Sequence, residues 1–261
     1  GLYIRLMKQA ETMGLPAMTF GYLSEPLLRP DIAEMISLAR DAGVMDIRLG
    51  TNGTLLGKKV AKELIRAGLT RLEVSLDALD PHTYRSIRRG GSLPKVVRNI
   101  MDFLELRSAM GSRIPVLRLS FLRLPQNEAE LEGFLSFWRD KAELFSIQEP
   151  IFYPEAPLSK LVDLTEGPPS GNFRCAQPWQ RLIIRSNGDV YPCCSQLSPK
   201  MKVGSAKQDS LLELWQSRLM QGLRQAQKEG RYREYPDCLD CAAGAARRHI
   251  RRTPSADGER A

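Results

Sequence analysis

From Ala17 onward the chain alternates short apolar runs with stretches whose apolar residues return every three to four positions. Ala17–Tyr22 reads as a strand, and Asp31–Ala42 as a helix opened near Pro30 and Asp31. Met45–Gly50 is the next strand and Lys58–Ala67 the next helix, stopped by Gly68. Arg71–Leu76 predicts a third strand, Pro94–Met110 a helix ended by Gly111, and Val116–Leu122 a fourth strand. Glu128–Lys141 then predicts a helix and Leu144–Ile151 a fifth strand. Ahead of them all, Leu2, Ile4, Leu6, Met7, Ala10 and Met13 share roughly one helical face, which Gly14 ends. Strands alternating with helices of this length imply right-handed β-α-β crossovers and a parallel sheet. A doubly wound sheet and a partial barrel both satisfy the pattern. In either fold, functional groups gather at the C-terminal ends of the strands. Ser24-Glu25-Pro26, Thr51-Asn52-Gly53 and Ser75-Leu76-Asp77 are polar clusters at such ends.

After about residue 153 the texture changes. Pro154, Pro157, Gly167, Pro168, Pro169 and Gly171 mark a linker. A short hairpin follows, Arg181–Ile184 and Val190-Tyr191 joined by Ser186-Asn187-Gly188-Asp189, because Asn-Gly between β-rich runs is a strong turn signal. Composition adds little: 43% hydrophobic and 26% charged residues over 261 is an ordinary globular balance. No apolar run reaches the ~18 residues that cross a bilayer, and the first residues lack the shape of a signal peptide. A soluble cytoplasmic protein is the expectation. Part of the net charge of +8 sits in Arg247-Arg248-His249-Ile250-Arg251-Arg252, which reads as a solvated, disordered tail. Without aromatic interleaving or a recognition motif, nucleic acid is the weaker reading of that charge.

The chemistry lies in the cysteines. All five, Cys175, Cys193, Cys194, Cys238 and Cys241, fall in the last third, in the pattern C-x17-C-C-x43-C-x2-C. A Cys-x2-Cys pair turns both thiolates toward one centre, and the hairpin between Cys175 and Cys193 brings a second pair alongside. Four thiolates suit a tetrahedral zinc or an iron–sulfur cluster, and spacing alone leaves both open. An odd cysteine count in a chain of this size argues against a disulfide framework.

The residues around the cysteines carry a resemblance. Cys175-Ala-Gln-Pro-Trp-Gln-Arg-Leu-Ile-Ile, Asn187-Gly188-Asp189-Val190-Tyr191-Pro192-Cys193-Cys194, Val203-Gly204, Ser210–Trp215 and Cys238-Leu-Asp-Cys241 together resemble the SPASM or twitch extension of radical S-adenosylmethionine (radical SAM) enzymes. The resemblance implies one auxiliary [4Fe–4S] cluster, with Cys175, Cys193, Cys238 and Cys241 as ligands and Cys194 as spare or alternate to Cys193. The preceding residues resemble a radical SAM barrel from its second strand onward. Gly21–Leu28 stands where that family has a Gly-Gly-Glu-Pro-like turn, with Ser24 in place of a usual glycine. By that resemblance Ser24, Glu25 and Pro26 approach the methionyl amino group of the cofactor. Thr51 and Asn52 fall at the end of strand three of the family, and Ser75 and Asp77 at strand four near the cofactor ribose or carboxylate. Arg118 or Ser120 is a further candidate contact. Read without the resemblance, Glu25-Pro26 is a strand-to-helix turn, and Ser75 and Asp77 are caps of the helix that starts at Asp80-Pro81.

The departure is at the front. These enzymes hold their first cluster in a Cys-x3-Cys-x2-Cys loop, and no cysteine precedes Cys175. The expectation is that strand one and its loop fall before Gly1, so that the chain is a fragment; the rival is a homologue that has lost radical chemistry. The fold expected is therefore a partial (β/α)6 barrel over residues 1–153, a linker at 154–172, a SPASM/twitch domain at 173–245 and a basic tail at 246–261. The function implied is reductive cleavage of S-adenosylmethionine and hydrogen abstraction from a peptide, protein or small-metabolite substrate. A flavodoxin or ferredoxin would be the reductant, and a second [4Fe–4S] cluster is expected only with the upstream loop. No residue stands out as an acid or base, and substrate and oligomeric state stay open. The runner-up is a non-enzymatic module holding zinc or a cluster beside a degenerate barrel.

Overall fold

The computed structural model describes residues 1–148, 150, 173–194, 199–235, 237–239, 241 and 242. The linker at 154–172, the basic tail at 246–261 and the end of the fifth predicted strand lie outside the described residues. The chain divides into two compact units, Gly1 with Tyr3–Pro150, and Leu2 with Ile151–Ala261.

The first unit is a parallel sheet of β1 (Ala17–Phe20), β2 (Asp46–Thr51), β3 (Arg71–Ser75), β4 (Val116–Leu122) and β5 (Leu144–Gln148). Its strand order is β1-β2-β3-β4-β5. A doubly wound sheet needs a point where the order reverses. Sequential order has none and is that of a barrel segment, so the alternative left by periodicity is resolved.

The helices are α1 (Leu2–Met13), α2 (Ile32–Asp41), α3 (Lys58–Ala67), α4 (Pro81–Ile87), α5 (Leu93–Ala109) and α6 (Leu131–Trp138). In α3 the buried Ala61, Leu64 and Ile65 form one stripe, and Gly68 at φ +88° closes the helix in the left-handed region. Helix α3 lies between α2 and α5. One face of the sheet is a buried apolar layer of Ile47, Leu49, Leu72, Val74, Leu117 and Leu119. The opposite face is polar by the two-residue alternation of strands. It carries Arg48 on β2, Arg71, Glu73 and Ser75 on β3, and Arg118 and Ser120 on β4, in register.

Strand β1 and helix α6 are clearly shorter than their patterns predict. Strand β1 stops at Phe20 because Gly21, at φ +87°, turns the chain away. A Cβ at Gly21 would sit 2.7 Å from the Gly50 carbonyl, so this close approach admits only glycine. The stretch 128–141 enters as a 3₁₀ turn, Glu128–Glu130, before α6. There the Glu130 carboxylate accepts from the backbone N–H groups of Leu79 and Asp80 at 2.6 and 3.0 Å.

The second unit has an antiparallel sheet, β6 (Ile183–Ile184), β7 (Asp189–Tyr191) and β8 (Gly204–Ser205), followed by α7 (Leu211–Trp215) and α8 (Arg218–Glu229). Gly188, at φ +91°, makes the hairpin turn predicted from Asn187-Gly188. Tyr191, Met201 and Leu223 form a small core, against which Ile183, Tyr235 and Cys238 pack. Ser210 and Glu213 cap α7 reciprocally. No helix among the described residues is long and apolar enough to cross a membrane.

Candidate functional site

Two groups of candidate residues, one in each unit, are built by different means. In the sheet unit, the loops leaving β1, β2 and β3 are tied down by buried carboxylates and amides. The half-buried Glu25 reaches across to the end of β2. Its Oε1 accepts from the Thr51 hydroxyl at 2.7 Å and the Leu27 N–H at 3.0 Å, while Oε2 accepts from the Asn52 N–H at 2.8 Å. Thr51 Oγ1 in turn accepts the Gly53 N–H at 3.1 Å, and Asn52 Oδ1 the Thr54 N–H at 2.9 Å. Glu25, Thr51 and Asn52 are thus brought together. Ser24 stays exposed in the same turn, and Pro26 is buried at the start of a short 3₁₀ turn.

At the end of β3, Ser75 and Asp77 diverge. Ser75 lies beside Ser120 of β4, whose hydroxyl donates to Ser75 Oγ at 3.3 Å. Asp77 is only 1% exposed. Its Oδ2 takes both Nε and Nη2 of Arg88 at 2.6 Å, and Oδ1 accepts the Leu122 N–H at 2.8 Å. A closed carboxylate with these partners braces β3 against β4, and a ligand reaches it only if the brace opens.

Sequence reasoning missed the amides behind these loops. Asn99 on α5 donates to the carbonyls of Gly53 and Thr54 at 2.8 and 3.2 Å. Asn127, fully buried, donates to the carbonyls of Asp77 and Leu122 and accepts the Leu124 N–H. A signal existed for Asn99, since it falls in the apolar stripe of Val96, Ile100 and Phe103.

In the second unit the cysteines are partly buried, and no disulfide joins them. Burial pushes the Cys238 thiol up to about 12, and the neighbouring thiols of Cys193, Cys175 and Cys241, with Asp237, add to the shift. The Cys175 thiol is also raised, first by burial and further by Cys194, against the Gln177 N–H and Arg181, which lower it. The thiols of Cys193, Cys175 and Cys241 each lie within electrostatic reach of Cys238, and Cys194 stands near Cys175. Among the described residues, however, no three His, Cys, Asp or Glu side chains stand close enough to share one metal ion.

A tetrahedral zinc with Zn–S of about 2.3 Å draws its sulfurs to about 3.8 Å from one another. A cubane binds each thiolate through a different iron, so its ligands stand farther apart. Cys238 with the thiols of Cys193, Cys175 and Cys241 supplies the four thiolates that a [4Fe–4S] cluster takes. A buried thiol also resists ionisation on its own, so a group that binds thiolate must stabilise the charge.

The comparisons with known proteins bear on both units. Residues 3–137 match the radical SAM superfamily model, and residues 175–242 match SPASM, an iron–sulfur cluster-binding domain. The chain belongs to the radical SAM superfamily. Its members are enzymes built around [4Fe–4S] clusters and S-adenosylmethionine, as the resemblance read from the residues implied. Among relatives, a probable GTP 3′,8-cyclase of Methanocaldococcus jannaschii is 36% identical over 125 residues, which is 48% of this chain and 40% of the relative. The GTP 3′,8-cyclase of Limosilactobacillus fermentum is 36% identical over 117 residues, 44% of this chain and 33% of that one. The match thus spans well under half the length of these relatives. Among solved structures, native anSMEcpe with bound AdoMet aligns at a TM-score of 0.63 and 15% identity, over 87% of this chain and 74% of that one. BtrN in complex with AdoMet and 2-DOIA aligns at 0.54 and 16%, over 92% and 77%. At such identities the likeness is one of fold, and it agrees with the partial barrel.

Proposed function

We propose that this chain is part of a radical SAM enzyme whose C-terminal unit holds one auxiliary [4Fe–4S] cluster on Cys175, Cys193, Cys238 and Cys241. The observation that carries the reading is that the thiols of Cys193, Cys175 and Cys241 all act on the partly buried Cys238. In the sheet unit, Ser24, Glu25, Pro26, Thr51, Asn52 and Ser75 would hold S-adenosylmethionine at the strand ends, with Asp77 supporting them from behind. When bound, the cofactor and a cluster beyond the auxiliary one supply the hydrogen-abstraction chemistry of the family. The chain's own part is to position. Glu25 locks the first turn onto β2 and keeps one Oε2 lone pair for a cationic amino group, while Ser75 and Ser120 offer hydroxyls to a carboxylate or ribose.

The substrate reading is coarser: a peptide, a protein or a small metabolite. The polar sheet face supports one that carries negative charge. Arg48, Arg71 and Arg118 oppose Glu73 and Asp46 there, and the Nε groups of Arg48 and Arg118 are buried without a hydrogen-bond partner among the described residues. The name GTP 3′,8-cyclase carried by similar proteins points the same way.

Equilibrium dialysis of S-adenosylmethionine against anaerobically reconstituted protein, with a Cys-x3-Cys-x2-Cys loop ahead of Gly1, tests the cofactor site. Glu25→Ala removes the acceptor of two hydrogen bonds from the end of β2, those of Thr51 and Asn52, and of the Leu27 N–H within the turn. It is expected to weaken binding by about tenfold or more, equivalent to about 1.4 kcal/mol. Wild-type affinity in Glu25→Ala would remove these strand ends from the cofactor site.

A further inference from the structure

Gln227 is 1% exposed on α8, a helix whose other mid-chain glutamines and arginines are largely at the surface. Its amide joins two of the candidate ligands. Oε1 accepts the backbone N–H of Cys175 at 2.9 Å, and Nε2 donates to Cys238 Sγ at 3.4 Å. The orientation follows from chemistry. A backbone N–H can only donate, so the amide oxygen must face Cys175 and the amide nitrogen must face the sulfur. Arg174 clasps the same turn, its Nη1 donating to the Gln227 carbonyl at 2.7 Å and to the Lys228 carbonyl. The Cys175 backbone, the last turn of α8 and the Cys238 sulfur are therefore one connected unit.

We propose that Gln227 is a positioning residue for the auxiliary cluster, whose Nε2–H donates to the Cys238 thiolate and makes the cluster easier to reduce. The inference rests on the reading of Cys175, Cys193, Cys238 and Cys241 as ligands. A thiol sulfur is a weak acceptor and a thiolate a strong one, so a buried N–H aimed at this sulfur gains most when the sulfur is charged. An added electron increases the negative charge on the ligand sulfurs. A donor fixed on one of them therefore stabilises the reduced state more than the oxidised state. Burial strengthens the effect by excluding competing water.

The test is an EPR-monitored redox titration of the full chain, reconstituted anaerobically, as wild type, Gln227→Glu and Gln227→Met. Gln227→Glu keeps an oxygen for the Cys175 N–H and replaces the donor; Gln227→Met keeps the volume and neither hydrogen bond. Both are read at alkaline pH, where the introduced carboxyl is ionised. The expected result is a more negative midpoint in both, by about tenfold in the reduction equilibrium or about 59 mV for one electron, and further for Gln227→Glu. A purely structural anchor would change iron content in Gln227→Met and leave the midpoint of Gln227→Glu at the wild-type value, which overturns the proposal. If Gln227→Met loses its iron, Gln227→Glu decides by its midpoint. A wild type without a cluster overturns the ligand reading and this inference with it; a cluster with unmoved midpoints overturns the inference alone.

Discussion

Replacing Cys238 and Cys241 together by serine is expected to abolish the auxiliary cluster, with iron and sulfide falling from about four of each per chain to background. The reason lies in the arrangement. Cys238 packs against the core of Tyr191, Met201 and Leu223, and the thiols of Cys193, Cys175 and Cys241 act on it. Serine preserves the volume but offers a hydroxyl that does not ionise at neutral pH, so both iron bonds are lost. Cys194→Ser is expected to keep the iron, because Cys194 acts on Cys175 while Cys193 acts on Cys238. Loss of iron in Cys194→Ser with retention in Cys193→Ser would exchange the two ligands. Retention in the double variant would remove the Cys-x2-Cys pair from the site.

The second large effect is on stability. Asp77→Ala is expected to destabilise the sheet unit by about 2–3 kcal/mol, seen as a lower midpoint of denaturant unfolding. The carboxylate is closed off at 1% exposure, and removing it strands the Leu122 N–H at the point where β4 ends. Arg88 keeps about a third of its side chain in solvent, so the guanidinium left behind is rehydrated. That places the expected loss below the range for a fully buried pair. Asp77→Asn, which retains an acceptor for the Leu122 N–H, is expected to recover part of the loss. An unchanged midpoint in Asp77→Ala would show that Arg88 and Asn127 hold the strand ends without it.

Much of this architecture was legible in the amino-acid order. Helix α3 and strand β4 coincide with their predicted limits because both carry clean periodicity: Ala61, Leu64 and Ile65 in one, buried alternation from Leu117 in the other. Strand β8 was not legible. It is two residues long and exists only through its pairing with Asp189 and Val190, which no local pattern encodes. The choice between barrel segment and doubly wound sheet was likewise beyond periodicity, since strand order is a tertiary property.

The site shows the same division. Glu25, Thr51 and Asn52 could be singled out as polar residues at strand ends, but their mutual hydrogen bonds span 26 or 27 positions. Asn99 stood out as a polar residue in an apolar stripe, while its partners at Gly53 and Thr54 lie 46 and 45 positions away. Gln227 gave no signal at all, because it sits in a polar stretch of α8 and becomes distinctive only when Cys175 and Cys238 close on it. Asp77 reads as a ligand or cap from its place after β3, and its pairing with Arg88, 11 positions on, is written in no local pattern.

The most direct test of the central claim is anaerobic quantitation of iron, acid-labile sulfide and zinc on the wild-type chain, with EPR of the dithionite-reduced sample. The account predicts about four irons and four sulfides per chain and the signal of a reduced [4Fe–4S] cluster. One zinc per chain, with neither iron nor sulfide, would contradict it.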